Sequence, residues 1–392
     1  MTTELLLRNA NLWGAGPADV LIRDGRIAEI GSGLQGGAAA VEDLGGKLVI
    51  PGLIDGHAHI DKTLWGGPWT PHSSAPGLMG KIRGGQERRP ELGIPSADYI
   101  SALLANMITL GTTHVRTHVD VDTLMGLDAV HAVREALARH EGRITAQLVA
   151  FPQAGLLIAP GTDRLLEQAL EQGVDLIGGL DPAGLDSDAV KHLDIVFGLA
   201  DKHGVGVDIH LHDRGSLGEW QYRLIIERAK ALGLRGKVTV SHGFALSDAS
   251  PAVRAELLDG LAEAGVAIAS IAPPGRAMPL KELAAAGVPM TLGNDGVRDL
   301  WSPFGTGCML DRALLQAQQT GPLDEDVELA LDAATYGGAR VTGLDGYGLG
   351  VGDVADLVVI EARNAAEAVC VRPARSLVLK AGRVVARDGA LV

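Results

Sequence analysis

Two histidines separated by one residue, His57 and His59, lie near the end of the apolar stretch VIPGLIDGHAHIDKT at residues 49–63. Alternate residues of a β-strand share a face, so both imidazoles project together if this stretch is a strand. Two imidazoles on one face are ligands that Zn(II) and Fe(II) accept. The pair alone is only suggestive, because a histidine in an apolar run is often a packed core residue. A metal site requires further ligands that converge on the pair.

Further polar residues follow other β-prone runs. These runs lie at 113–120, 146–153, 174–181, 205–213, 237–243, 266–273 and 288–295, and helix-forming segments such as 162–172 and 251–264 lie between them. The residues near their ends that can ligate or donate are His118, Asp120, Gln153, Asp181, His210, Asp213, His242 and Asp295. Apolar strands that alternate with helices are typical of a parallel sheet covered on both faces. With the run that ends at His57 there are eight strands.

Eight such strands predict an α/β fold, a (β/α)8 barrel over residues 53–344. In a barrel the carboxyl ends of all strands meet at one mouth, whereas a doubly wound sheet gathers only those near its switch point. The barrel therefore explains why the polar residues recur at strand ends. Both chain ends carry short β-prone runs with Gly- and Asp-rich turns. We expect residues 1–52 and 345–392 to form one small β-sandwich together.

Four residues at this mouth are predicted to bind one divalent metal ion, namely His57, His59, His210 and Asp295. Three imidazoles and a carboxylate leave a position open for water. A bound divalent ion lowers the pKa of water from about 16 to about 7 and so activates it at neutral pH. Zn(II) is the preferred ion, although the same ligands accept Fe(II).

The other histidines have less specific settings. His114 and His118 are expected to be core or supporting groups, and the role of His212 is left open because it is out of phase with Asp213 along its strand. The remaining five are expected at the surface, namely His72, His131, His140, His192 and His203.

Composition excludes several classes of partner. The net charge of −14 without a basic stripe argues against nucleic acid, since phosphate binding needs clustered Lys and Arg. No stretch of 18 or more apolar residues is present, so no membrane span is expected. Cys308 and Cys370 match neither a disulfide framework nor a CxxC metal motif. The N-terminal residues show no signal-peptide pattern, so we expect a cytoplasmic protein. The oligomeric state stays open, with a homo-oligomer among the alternatives.

These motifs together resemble the amidohydrolase superfamily. The shared features are HxH after the first strand, His after the fifth and sixth, Asp after the eighth, and DVADLVVI before a β-rich tail. HVRTHVDV, VAFPQAG and the SH of the sixth strand resemble the cytosine deaminase branch. HIDKT, HLHDRGSLG and DLWSPFGTG are still more similar to the N-isopropylammelide isopropylaminohydrolases, which act on s-triazines.

The resemblance also bears on the number of metal ions. Two-metal members of the superfamily generally bridge their ions with a carboxylated Lys from the fourth strand. Here that strand ends in Leu180-Asp181-Pro182, so one metal ion and the deaminase branch are favoured. The unrelated zinc deaminases that act on nucleic-acid bases need H-x-E and P-C-x-x-C, and neither motif occurs in this sequence.

The implied reaction is hydrolytic displacement of an amine or ammonia from a carbon of a nitrogen heterocycle. We expect His242 to hydrogen-bond the developing oxygen and Asp295 to pass a proton to the leaving nitrogen. Asp213 is expected to protonate or hydrogen-bond a ring nitrogen. Gln153, which both donates and accepts, suits the amide edge of an oxo-substituted ring.

Three further residues are expected in the pocket. Lys62 and Asp181 match positions that line the pocket of the triazine enzymes, and Trp301 could stack on a flat ring. The alternatives are an exposed loop cation for Lys62 and ordinary packing for a second aromatic, Trp65. This chain departs from the cytosine deaminases that it resembles at two positions. Those enzymes have Glu at the position of Asp213 and a second Asp at the position of Gly296. An oxo-s-triazine similar to N-isopropylammelide or an oxo-pyrimidine similar to cytosine is the expected substrate, and these two departures count against cytosine itself.

Two alternatives stay open at this point. One is a hydrolase of another cyclic amidine, amide or urea. The other, from a different class, is a non-catalytic binding protein built on the same barrel. A barrel that had lost catalysis should lack some ligands, and in this sequence every expected ligand is present.

Overall fold

The computed structural model describes residues 4–37, 39–72 and 76–392. Five strands come first in the chain: β1 (Glu4–Leu12), β2 (Gly16–Arg23), β3 (Arg26–Gly31), β4 (Ala40–Asp43) and β5 (Leu48–Pro51). β1, β2 and β3 form an antiparallel meander, while β4 and β5 both run parallel to β1. The β-rich N-terminal segment expected from the sequence is therefore present.

Eight strands then form a parallel sheet, in which each strand pairs with the next along the chain. They are β6 (Leu53–Ala58), β7 (Thr112–Asp120), β8 (Thr145–Phe151), β9 (Leu176–Leu180), β10 (Gly206–Leu211), β11 (Val238–His242), β12 (Val266–Ser270) and β13 (Met290–Leu292). All eight predicted strands are present, in the predicted order.

The sheet closes between its first and last strands. Asp295 N donates to His57 O at 2.8 Å, and His59 N donates to Asp295 O at 3.1 Å. The backbones approach closely here because Gly293 has no side chain; a Cβ at this position would overlap the backbone of His57. The result is a nearly closed barrel, and its seam holds three of the four predicted metal ligands.

Helices lie between the strands and after them along the chain. They are α1 (Gly77–Leu92), α2 (Ala97–Thr109), α3 (Asp128–Ala138), α4 (Thr162–Glu171), α5 (Ala189–His203), α6 (Gly215–Ala231), α7 (Phe244–Asp248), α8 (Pro251–Ala264), α9 (Leu280–Ala285), α10 (Met309–Thr320), α11 (Asp324–Ala333), α12 (Tyr336–Thr342) and α13 (Ala365–Val371). In α6, Tyr222, Ile225, Ile226 and Ala229 are buried, the spacing of one helical face. Within the described residues no helix is both long and apolar enough to cross a bilayer.

Four strands near the C-terminus complete the first sheet: β14 (Leu357–Ile360), β15 (Arg375–Lys380), β16 (Arg383–Arg387) and β17 (Ala390–Leu391). β14 pairs antiparallel with β5, with Leu357 opposite Pro51 and Ile360 opposite Leu48. Both chain ends thus share one nine-stranded, mostly antiparallel sheet, separate from the barrel. Its apolar side chains form one cluster with contributions from both ends, including Leu7 and Leu379. The boundaries at 52/53 and 344/345 stay a prediction.

Two histidines expected at the surface are buried instead. His192 lies on the inner face of α5, where its Nδ1 is 2.6 Å from Asp186 Oδ2. It fits against β9 because Gly179 has no side chain; a Cβ there would be 2.6 Å from His192 Nε2. His140 is buried just after α3, with its Nε2 2.9 Å from Ser101 Oγ. The expectation was wrong for both, because each imidazole has a polar partner on a neighbouring segment and can therefore be buried: Asp186 for His192, and Ser101 for His140.

Candidate active site

A cavity of about 940 Å³ opens at the carboxyl ends of the barrel strands. Its lining includes nearly all of the predicted site residues, namely His59, Lys62, Gln153, Asp181, His210, Asp213, His242, Asp295 and Trp301. His57 lies beneath this surface and is 1% exposed. Because parallel strands end at one rim, side chains separated by more than 200 positions in the chain are brought to one place.

The predicted ligands converge at the cavity floor. His59 Nε2 lies 3.0 Å from His210 Nε2, and Asp295 Oδ1 lies 3.4 Å from His59 Nε2 and 3.7 Å from His57 Nε2. Atoms bound tetrahedrally to one Zn(II) at about 2.1 Å are separated by roughly 3.4 Å. His57, His210 and His242 form an overlapping cluster, with their ligand atoms within 4.8 Å of one another. This spacing is compatible with one divalent ion bound by the predicted ligands.

The hydrogen bonds of these residues also fit a cation. His57 Nε2 is buried and has no hydrogen-bond partner among the described residues. Burial, together with the neighbouring charged groups, lowers the pKa of His59 and of His210 well below the usual value, so both imidazoles are neutral near pH 7. Two neutral ring nitrogens at 3.0 Å form a hydrogen bond only if one carries a proton, whereas a cation between them uses both lone pairs. The donor set therefore suits a divalent ion.

The tautomer of His57 is set from below. Ser241 Oγ donates to Asp208 Oδ1 at 2.6 Å and lies 3.0 Å from His57 Nδ1. The Ser241 hydroxyl donates its only hydrogen to Asp208, so it can only accept a hydrogen bond from His57 Nδ1. The proton of His57 is therefore on Nδ1, and Nε2 has a free lone pair that can bind a metal ion. Arg116 donates to the other oxygen of Asp208 at 3.4 Å.

Three non-glycine residues of the cavity lining have backbones in the left-handed region. The φ angles are 37° for Asp181, 65° for His242 and 60° for Asp295. Non-glycine residues rarely adopt such angles, and those that do are often at functional sites. Each of these residues follows or ends a strand, and its side chain reaches the cavity. The left-handed turn breaks the regular alternation of side chains at this point.

Lys62 is buried at the wall of the cavity and is not an exposed loop cation. Its Nζ donates to Gln153 Oε1 at 2.7 Å and to Asp120 Oδ1 at 2.8 Å. The Nζ also lies 5.6 Å from the ring centre of Trp301. Trp65 is not part of the cavity lining and packs under the Arg298 guanidinium at 5.4 Å, so the packing alternative applies to it.

Asp181 and His212 form a pair within the cavity lining. His212 Nδ1 lies 2.8 Å from Asp181 Oδ2, and its ring stacks on that of His242 at 4.3 Å. Burial alone lowers the pKa of His212, but the hydrogen bond and charge of Asp181 outweigh it and raise the pKa above its usual value. The alternation of side chains along a strand could not assign a role to His212, because β10 ends at Leu211 and His212 lies beyond the strand. Asp181 thus holds His212 in position within the cavity lining.

Comparison with known proteins identifies the family. Residues 40–386 match the model of the amidohydrolase family. The chain belongs to the amidohydrolase family. The site is therefore that of a hydrolase acting on carbon–nitrogen bonds, and the alternative of a non-catalytic barrel loses its support.

Individual relatives cover nearly the whole chain. N-isopropylammelide isopropyl amidohydrolase of Pseudomonas sp. (strain ADP) is 31% identical over a 405-residue alignment that covers 99% of this chain and 98% of the relative. The crystal structure of N-isopropylammelide isopropylaminohydrolase from Burkholderia multivorans ATCC 17616 superimposes with a TM-score of 0.96 and 43% identity over all of both chains. A 5-methylcytosine deaminase from Klebsiella pneumoniae, liganded with 5-fluorocytosine, gives a TM-score of 0.85 and 25% identity over 98% and 97% of the two chains. The resemblance inferred from the motifs is confirmed.

Asp213 of this amidohydrolase lines the cavity with its carboxylate already engaged. Its Oδ2 accepts hydrogen bonds from Gly184 N at 2.8 Å and from Gln221 Nε2 at 2.9 Å. Gly184 must lack a side chain here, because a Cβ would overlap the carboxylate. Two donors hold Asp213 in one orientation, and its role toward a ring nitrogen stays a prediction.

Sequence reasoning missed several groups around the amidohydrolase site. Asp299 lines the cavity, and burial raises its pKa to about 6 against the opposing effect of Lys62. His118 was not missed: it is fully buried, with its ring centre 4.4 Å from that of His210, as expected for a core or supporting group. Ser241 and Asp208 lie one and two residues before predicted site histidines, in otherwise apolar strands. That position is a signal that could have identified them.

Replacing Ser241 with alanine is expected to weaken metal binding about 10- to 100-fold, because the tautomer and ring orientation of His57 lose their support. The measurement is the metal dissociation constant, obtained by competition with a chromogenic chelator. Ser241→Thr keeps the hydroxyl and serves as the matched control. An unchanged dissociation constant in the alanine variant would show that Ser241 does not orient His57.

Proposed function

We propose that this amidohydrolase is a mononuclear metal-dependent aminohydrolase that cleaves an exocyclic C–N bond of an oxo-s-triazine similar to N-isopropylammelide. An oxo-pyrimidine is the second ring type. The observation that carries the proposal is the presence, in one cavity, of the His57–His59–His210–Asp295 cluster and of Lys62 hydrogen-bonded to Gln153. The cluster suits water activation, and the Lys62–Gln153 pair suits the oxo-substituted edge of a ring.

A divalent ion held by the cluster would supply water activated for attack at neutral pH. His242, at the cavity surface, would donate a hydrogen bond to the oxygen that develops charge. Asp295 would accept the proton from the attacking water and deliver it to the leaving nitrogen. Its Oδ1 lies among the predicted ligands, 3.4 Å from His59 Nε2, so the carboxylate would lie within reach of a water held by the ion.

The remaining wall residues would bind and orient the ring. Lys62 and Gln153 would contact an oxo group and the adjacent N–H, and Trp301 would pack against the flat face. Apolar side chains on the lining, including Phe244, Pro273 and Leu315, would accommodate an alkyl group on the leaving amine. These contacts support an alkylamine as leaving group beside ammonia.

The residue after Asp295 distinguishes this pocket from that of the cytosine deaminases, which have an Asp at this position. A Cβ on Gly296 would overlap the Asp299 carboxylate, so this chain places Asp299 in the space that a side chain at 296 would need. Asp213 is also one methylene shorter than a glutamate. Both differences favour the triazine ring over cytosine.

The test is a substrate panel assayed with protein reconstituted with Zn(II) or Fe(II). N-isopropylammelide, ammelide, cytosine, isocytosine and creatinine-type lactams are incubated separately, and released isopropylamine or ammonia is quantified. We expect the highest kcat/KM with the ammelide derivatives. Release of amine only from compounds outside the triazine and pyrimidine classes would overturn the proposal and favour a hydrolase of another cyclic amidine, amide or urea.

A further inference from the structure

We propose that Arg89 of α1, which does not line the cavity, is a positioning residue that holds the Lys62 ammonium toward the bound ring through Asp120. The inference rests on the proposed function, because it assigns Lys62 to ring recognition. It adds a specificity element that lies on a helix outside the barrel strands.

The Lys62 ammonium has three hydrogens, and two of them are committed. They point to Asp120 Oδ1 at 2.8 Å and to Gln153 Oε1 at 2.7 Å. The third is left for a ligand in the cavity that Lys62 lines. A lysine side chain has four rotatable bonds, so its two acceptors must themselves be held still if the third hydrogen is to point in one direction.

Asp120 is held by Arg89. The Arg89 guanidinium donates one hydrogen bond to Asp120 Oδ2 and another, at 3.4 Å, to Asp122 Oδ2. Asp120 is fully buried, and Arg89 is 8% exposed. One carboxylate therefore bridges two cations, with Oδ1 on Lys62 and Oδ2 on Arg89. Buried charges are tolerated when they are paired in this way, and removal of one partner leaves a buried charge without full compensation.

Removal of the Arg89 charge leaves Asp120 with one cation and a vacant Oδ2. The Lys62 ammonium is then expected to move so that it contacts both oxygens of Asp120, because it is the cation closest to that carboxylate. This movement takes it away from Gln153 and from the ring. Arg89 thus keeps the Lys62 ammonium between Asp120 and Gln153 and prevents it from pairing with Asp120 alone.

Arg89 also has a structural role that the test must separate. It lies in the last part of α1, whose first part contributes Gly77, Leu78 and Lys81 to the cavity lining. Its loss could alter that wall without any effect through Lys62. A double-mutant cycle distinguishes the two routes, because only the route through Lys62 disappears when Lys62 is absent.

The experiment compares Arg89→Gln, Lys62→Met and the double variant, all metal-loaded, with N-isopropylammelide as substrate. We expect Arg89→Gln to lower kcat/KM about 10- to 100-fold, mainly through KM, since ring binding is lost in ground and transition states alike. In the Lys62→Met background the same change should cost less than about twofold. Arg89→Lys retains the charge and should recover part of the loss, and Arg83→Gln, an exposed arginine of the same helix, is the matched control.

An equal loss in both backgrounds would overturn the proposal and leave Arg89 with a structural role only. A ligand-free crystal structure of Arg89→Gln gives a second, substrate-independent result. We expect Lys62 Nζ to contact both Asp120 oxygens and to lose its contact with Gln153; an unchanged Lys62–Gln153 contact would also overturn the proposal. If the wild-type protein turns over neither ring type, the proposed function fails, and the crystal structure still decides whether Arg89 positions Lys62.

Discussion

Replacing His210 with asparagine is expected to remove the bound metal ion and to lower kcat/KM at least about a thousandfold. His210 is buried beside His59, and the amide of asparagine is too short to bring a donor atom to the place of Nε2. Loss of water activation costs several kcal/mol of transition-state stabilisation, and each 1.36 kcal/mol is a factor of about ten in rate. Elemental analysis of purified protein, combined with steady-state kinetics, measures both effects.

His131→Asn is the matched control, because this histidine is exposed on α3 and contacts Gln172. The control should bind about one ion per chain and keep its activity. Chelation of the wild-type protein should abolish turnover, and addition of Zn(II) or Fe(II) should restore it and identify the more effective ion. Full activity in metal-depleted wild-type protein would contradict a metal-dependent mechanism.

His242→Asn is expected to lower kcat about 100- to 1,000-fold while the ion stays bound. The expected loss is that of one hydrogen bond to the developing oxygen, which has this magnitude when a single preorganised donor is removed. His242 lies at the cavity surface and stacks on His212, a position suited to contact the substrate. Its removal should leave KM nearly unchanged, since the hydrogen bond is made chiefly in the transition state.

The metal content of this variant provides the control. His242 also belongs to a potential ligand cluster with His57 and His210, so the structure allows a second role for it. One ion per chain together with a large loss of kcat would support stabilisation of the oxygen. Loss of the ion together with activity would instead make His242 a ligand and contradict the role proposed for it.

The sequence by itself determined the barrel and the convergence of the candidate metal ligands. Both depend on regular, local patterns: apolar runs separated by helical segments, and polar residues at the ends of those runs. The alternation rule placed His57 and His59 on one face, and the convergence of strand ends in a barrel placed them near His210 and Asp295. No knowledge of individual contacts was needed, since the fold geometry sets these positions.

Only the tertiary structure decided the partners of the charged and polar side chains. Lys62 meets Asp120 and Gln153, which lie 58 and 91 residues away in the chain. His212 meets Asp181 at a separation of 31 residues. Whether such a residue is exposed or belongs to the site depends on whether it is buried. Its burial in turn depends on which loop or helix covers the barrel mouth. A sequence pattern describes one element at a time, whereas an ion pair or hydrogen bond between two elements depends on how both are packed.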